Sequence, residues 1–292
     1  MFADKLLSAI KEKNNPTVVG LDPKLDYIPE HILKLDDPIF EFNKAIIDAT
    51  YDIVPCIKPQ LAYYEMYGLE GLSAFVKTVN YAKSKGLLVI ADAKRNDIAA
   101  TSEAYSTAYL GDTFDCDALT VNGYLGTDCI NPFLKNCKEK GKGIFVLVKT
   151  SNPSSGELQD KMLADGRSVC EAMADFVNEW GKEIIGESGY SAVGAVVGAN
   201  YPEHAKALRQ RMKNAIILVP AYGAQGGTAG DAAASFDENG SGAIVNASRS
   251  IMCAYKSKVR GDFSPERFAY ASRAEAINMR DALNAAIPRN RV

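Results

Sequence analysis

Histidine is almost missing: His31 and His204 are the only two in 292 residues. Both sit in helix-like polar surroundings, far from any strand end, which disfavours histidine zinc sites and histidine-based triads. Proton chemistry then falls to Lys, Asp or Glu, and no metal set is expected. The six cysteines, Cys56, Cys116, Cys129, Cys137, Cys170 and Cys253, are scattered without a Cys-x-x-Cys pair. A chain of this size folds without staples, so reduced, mostly buried thiols in a cytoplasmic protein are expected. No apolar run approaches the ~18 residues of a membrane span. Neither sign of charge dominates: the formal net charge is −3 with the signs interspersed. That leaves no basic stripe for nucleic acid and no polybasic patch for a membrane, and points to a small-molecule partner. A dinucleotide fingerprint is also missing, because the turn after the first strand reads Gly20-Leu21-Asp22-Pro23, which counts against a doubly wound open sheet.

What is present begins with Leu88-Val89-Ile90-Ala91-Asp92-Ala93-Lys94-Arg95-Asn96-Asp97-Ile98. An apolar run ends in four charged side chains and then leads into Ala-rich sequence ending at Thr101, the pattern of strand, short loop and helix. Alternation along a strand places Ile90, Asp92 and Lys94 on one face and Val89, Ala91 and Ala93 on the other. An acid and a base at the tip of a buried strand are costly to desolvate unless they pair, and they rarely sit there for stability alone.

Seven further apolar or β-branched runs complete a series of eight: Thr17 to Asp22, Ile53 to Lys58, Leu87 to Lys94, Ala118 to Gly123, Gly143 to Thr150, Ala192 to Ala199, Ala215 to Ala221 and Gly242 to Ser248. Helical pattern follows each. Eight strand and helix repeats in ~250 residues predict one closed (β/α)8 TIM barrel over residues 1–292, with no linker dividing it. Phe2, Leu6 and Ile10 are spaced for a first helix rather than a targeting sequence. Ser151 to Gly166 forms an extended loop between the fifth strand and its helix, expected to fold over a ligand. Ser264-Pro265-Glu266 starts an extra C-terminal helix running to about Ile287, expected to close the barrel from outside.

In such a barrel the carboxyl ends of the strands converge on one mouth. Asp22 ends the first strand, Lys58 the second, and Asp92 with Lys94 the third. Asp97 follows in the next loop or first helical turn, with Thr101 four residues on. Taken alone, Asp97 also suits a helix cap and Lys58 a solvated strand end. At the seventh and eighth strands, Gly223-Ala224-Gln225-Gly226-Gly227 and Asn246-Ala247-Ser248-Arg249-Ser250 offer free backbone N–H groups and a guanidinium, which suit a phosphate monoester.

These residues resemble the signature of the orotidine 5'-monophosphate decarboxylase family: Asp92-Ala93-Lys94-Arg95-Asn96-Asp97-Ile98 with Thr101, Gly20-Leu21-Asp22-Pro23, Ile57-Lys58-Pro59-Gln60, Thr150-Ser151-Asn152-Pro153, the Gln225 loop and Ser248-Arg249. The length and the run Val121-Asn122-Gly123-Tyr124-Leu125-Gly126 resemble its longer bacterial branch, the type 2 subfamily. Two positions depart from the usual pattern: Gly123 stands where Pro is expected, and Ala247-Ser248-Arg249-Ser250 replaces Gly-Arg or Ser-Ser-Arg-Gly.

The resemblance implies decarboxylation of orotidine 5'-monophosphate to uridine 5'-monophosphate in pyrimidine biosynthesis, without metal or organic cofactor. It assigns catalysis to Lys94, Asp92, Lys58 and Asp97, with Lys94 stabilising and protonating a C6 carbanion. It also implies a ribose contact for Asp22, a uracil contact for Ser151, a phosphate site at Gln225, Ser248 and Arg249, and a homodimer in which Asp97 and Thr101 enter the partner's site. The rival readings are a Mg²⁺-dependent phosphosugar decarboxylase or aldolase on the same barrel and a non-catalytic nucleotide-binding barrel.

Overall fold

In the computed structural model, which describes residues 1–223, 226–257 and 261–288, eight parallel strands close into a barrel in sequence order. They are β1 (Thr17–Leu21), β2 (Cys56–Pro59), β3 (Leu88–Arg95), β4 (Ala118–Val121), β5 (Gly143–Lys149), β6 (Val193–Val197), β7 (Ile217–Val219) and β8 (Ala243–Ala247). Closure is made by β1 against β8, with Val18 opposite Asn246. All eight predicted strands are present, each within a few residues of its expected ends. Their sequences are apolar on both faces because both faces are covered. Val19, Ile57, Val89, Leu119, Ile144 and Val193 point outward under the helices, whereas Val18, Cys56, Ile90, Ala118, Phe145, Leu218 and Ile244 fill the lumen.

The helix Phe2–Lys13 plugs the amino-terminal end of the barrel. Phe2 meets Phe145 edge-on with centroids 5.9 Å apart, and Leu6 is buried in the same cluster. Gly143 makes room for this plug, because a Cβ there would lie 2.3 Å from the Phe2 ring. The lower lumen is therefore apolar and closed, and polar side chains are confined to the opposite mouth.

Two loop expectations need correction. The C-terminal helix is present, but it runs Phe268–Ala286 after a 3-10 turn Pro265–Arg267 that the Ser264 side chain does not cap. Its start is set by burial instead, with Phe268 stacked on Phe42 at 5.0 Å. The loop after β5 folds into a turn Pro153–Ser155 and a short helix Gly156–Gln159. Of the residues after β5, Thr150 and Ser151 line the barrel mouth, and the turn and short helix stand beside the cavity rather than over it. All six cysteines are free thiols, and burial pushes those of Cys56, Cys116 and Cys137 up. No described helix is long and apolar enough to cross a membrane.

Candidate active site

The mouth holds a cavity of about 380 Å³ whose polar walls come from the strand ends. At its centre is Asp92, only 7% exposed beside Lys58, which is 4% exposed. Lys58 Nζ donates to Asp92 Oδ2 at 2.7 Å, Lys94 Nζ donates to Oδ1 at 2.7 Å, and the Thr120 hydroxyl donates to Oδ1 at 2.9 Å. Burial alone would raise the Asp92 pKa, but the two ammonium charges and their hydrogen bonds outweigh it and hold the carboxyl well below the usual carboxylate range. For Lys58, burial opposes charge while Asp92 and Asp22 favour it; the carboxylates win and its pKa is raised. Both groups are therefore ionised at neutral pH, and Lys58 is no solvated strand end.

Lys94 differs from Lys58 in two ways. Its side chain is 45% exposed, so it faces the open cavity, and its backbone is left-handed at φ 50°. The register against β4 shifts between Ala91 and Arg95, so simple alternation stops at Ala93 and the turn itself delivers Nζ to Asp92. Such a conformation costs about 1–3 kcal/mol and persists only where neighbours over-determine it. Here Lys94 N–H donates to Thr120 Oγ1 at 3.0 Å, and Arg95 is tied down by Glu65, by Tyr109 Oη at 3.2 Å and by the Ala93 carbonyl at 3.0 Å.

Asp22, one residue beyond β1, also lines the cavity. Burial pushes its carboxyl up from the ordinary value, against the pull of Lys58 and a hydrogen bond from Ser248. Its Oδ1 is buried without a partner among the described residues, as is Asn246 Oδ1. Asn246 Nδ2 donates to Ser248 Oγ at 3.2 Å, so the Ser248 hydroxyl is held between Asn246 and Asp22. This corner exists because residue 20 is glycine: a Cβ there would lie 1.9 Å from Ser248 Oγ. Arg249 opens the helix Arg249–Met252 and lines the same cavity. Gly223 and Gly226 adopt positive φ, Gly226 N–H closes a turn on the Gly223 carbonyl at 2.8 Å, and Ser250 Oγ beside them is buried without a partner among the described residues. Gln225 lies outside the described residues.

Of the residues singled out from sequence, Asp22, Lys58, Asp92, Lys94, Ser151, Ser248 and Arg249 meet at one cavity, and Asp97 and Thr101 do not. Asp97 precedes the helix Ala99–Leu110, whose cap position is Ile98; among the described residues its carboxylate accepts the next N–H, at 2.8 Å. Thr101 is exposed. Two side chains have no role in the sequence reading, Thr120 and Asn246, the latter entering it only through the backbone run Asn246–Ser250. Each is a polar residue at an inward position of an otherwise apolar strand, and that placement was the available signal. His204 lies in the helix Pro202–Arg211, as its surroundings predict, with Nδ1 3.9 Å from Asp160.

The chain matches the model described as "Orotidine 5'-phosphate decarboxylase / HUMPS family" over residues 18–260. It is 45% identical over 291 residues to orotidine 5'-phosphate decarboxylase of Clostridium perfringens (strain SM101 / Type A), covering 98% of this chain and 99% of that one. Identity to the enzyme of the same name from Caldicellulosiruptor bescii is 43% over 307 residues, with 98% and 99% covered. Among solved structures, Leishmania donovani OMP decarboxylase superposes with a TM-score of 0.75 at 30% identity, over 96% of this chain and 99% of that one. Leishmania donovani UMP synthase gives 0.79 at 30% identity over 97% of this chain and 56% of that chain, so this chain spans about half of that protein.

Proposed function

The chain belongs to the orotidine 5'-phosphate decarboxylase / HUMPS family and is a carboxy-lyase converting orotidine 5'-monophosphate to uridine 5'-monophosphate in pyrimidine biosynthesis; from that premise we propose the following roles at the barrel mouth. The observation that carries them is one buried carboxylate, Asp92, held at 2.7 Å by each of two lysines that line the cavity, of which Lys94 is the more exposed. The C6–carboxylate bond breaks, its electron pair stays on C6 in the ring plane, and CO2 leaves. The Lys94 ammonium stabilises that pair and then delivers the proton that fills the position. A charge that meets its partner only as the bond breaks favours the transition state over the ground state. Asp92 fixes Lys94, and Lys58 and Asp22 take the ribose hydroxyls. Ser151 reads the uracil edge. Arg249 and Gln225 hold the phosphate, with Ser248 contributing through its main chain because its hydroxyl is engaged by Asp22 and Asn246.

Loss of pyrimidine absorbance on adding orotidine 5'-monophosphate tests the roles directly. Lys94→Ala is expected to abolish turnover while uridine 5'-monophosphate still binds. Wild-type turnover in that variant refutes the assignment, activity lost to a chelator favours the Mg²⁺-dependent rival, and a wild-type chain without turnover favours the binding module.

The position of Asp97 and Thr101 supports a homodimer in which both enter the partner's cavity. They lie outside their own cavity on a flank that also exposes Met66, Ile98, Tyr124 and Leu125. The flank is continuous, because Arg95 pairs with Glu65 and Asn96 Nδ2 donates to the Asn122 carbonyl. A second copy related by a twofold axis would cover those apolar side chains and complete two identical sites.

A further inference from the structure

Lys149, the last residue of β5, is 0% exposed, and none of the proposed chemistry uses it. Its Nζ donates to both carboxylate oxygens of Asp160, at 2.7 and 2.9 Å, and lies 4.5 Å from the centre of the Tyr201 ring. Asp160 is 42% exposed, with His204 Nδ1 3.9 Å away. The pair is thus asymmetric, its cation built into the barrel wall and its anion carried by the loop after β5. A well-packed apolar side chain is often as stable as a buried ion pair, so retention of an ammonium here suggests a role beyond stability.

The surrounding bonds say what the pair fixes. Next to Asp160, Gln159 bridges Thr150 twice: its Oε1 accepts from Thr150 N–H at 2.9 Å, and its Nε2 donates to Thr150 Oγ1 at 2.7 Å. Ser151 follows Thr150, and its carbonyl accepts from Asn200 Nδ2 at 2.9 Å. Gly198 lets Ser151 approach β6, since a Cβ there would lie 3.0 Å from the Ser151 Cβ. Asp160 and Gln159 thus form a short chain of contacts from the buried ammonium to Thr150 and Ser151, which line the cavity.

We propose that Lys149 is a positioning residue: by holding Asp160 it docks the loop after β5 so that Ser151 is set at the base end of the cavity. The inference rests on the functional reading above, in which Ser151 meets the uracil edge. It separates two ends of the ligand. Contacts to the base depend on the docked loop, whereas contacts to sugar and phosphate come from Asp22, Lys58 and Arg249 and do not.

The test is equilibrium binding of uridine 5'-monophosphate and of ribose 5-phosphate, by calorimetry, to wild type, Lys149→Met and Asp160→Ala. Loss of a charged hydrogen-bonded anchor is expected to weaken the nucleotide about tenfold or more and leave ribose 5-phosphate within about twofold, with Asp160→Glu recovering most of the loss. Asp160→Ala removes the contact from the half-exposed side, so a Lys149→Met chain that fails to fold leaves the proposal testable. Equal weakening of both ligands, or of neither, would overturn it. A wild-type chain that binds neither ligand would overturn the functional reading together with this one, and would do so before any variant is made.

Discussion

Thr120→Val is the most informative perturbation of the mouth, because it removes one oxygen atom and leaves every charge in place. Thr120 is buried, and its hydroxyl makes two bonds: it donates to Asp92 Oδ1 at 2.9 Å and accepts from Lys94 N–H at 3.0 Å. The first, to an ionised group, contributes about 1.5–3 kcal/mol, and the second about 1 kcal/mol, with an extra cost where the N–H stays buried and unpaired. Together they predict a stability loss of roughly 2–4 kcal/mol, which for a chain of this size lowers Tm by about 5–10 °C. Asp92 keeps both lysines and stays ionised. What fails is the backbone anchor of Lys94, whose left-handed conformation has to be held against its own strain of about 1–3 kcal/mol. A loose ammonium costs transition-state stabilisation, so kcat should fall about 10–100-fold, while KM changes little because Asp22, Lys58 and Arg249 are untouched. Steady-state decarboxylation followed by absorbance, beside a thermal melt, measures both, and Thr120→Ser should restore both. A valine variant with lowered Tm but wild-type kcat would refute the link between the hydroxyl and Lys94.

Arg249→Ala should lose most of its catalytic efficiency on the nucleotide and little on the phosphate-free nucleoside, since remote phosphate binding drives catalysis only when a phosphate is present; equal losses on both substrates argue against a phosphate role. Mixed dimers of Lys94→Ala and Asp97→Ala chains should recover roughly a quarter of wild-type activity if Asp97 acts across the interface, because half the dimers are mixed and each has one intact site. No recovery, with mixed dimer shown to be present, would place Asp97 in its own barrel. Burial raises the Asp22 pKa, so its ionised form opposes folding: the favourable contribution is complete below about pH 4 and is lost as pH rises through the folded pKa. Asp22→Asn should therefore raise Tm at pH 7, with the gain shrinking toward pH 4, while activity falls; a lower Tm at pH 7 would reverse the sign assigned to that carboxyl.

The barrel was legible because parallel strands covered on both faces leave runs such as Gly143–Lys149 that nothing else in a chain of this size explains. The strand-end charges were legible for the same reason, since Lys58 and Asp92 interrupt buried runs at equivalent points. Asp92 and Lys94 do face each other, but by way of a left-handed turn rather than the strand alternation that led to the pairing. Nothing in Ala93-Lys94-Arg95 announces a positive φ, because the conformation is imposed by Thr120 on β4 and by Glu65 and Tyr109, residues remote in sequence. The Lys149–Asp160 pair was hidden likewise, its two members separated by a turn and a short helix. Thr120 and Asn246 were concealed by their surroundings, each a single polar side chain inside an apolar strand.

The half-exposure of Lys94 bears on what happens after the product is made. On the proposed chemistry each turnover leaves Lys94 as a neutral amine, and the next substrate molecule cannot react until that nitrogen is recharged. Lys58 is not the source of the proton, because it is almost wholly buried and its charge is needed to hold Asp92. Bulk water can supply it, because the Lys94 end of the triad, with its side chain 45% exposed, opens toward solvent once the ligand leaves. The barrel floor is closed by Phe2 and Phe145. One opening thus serves for ligand exchange and for proton supply, and a bound product blocks both.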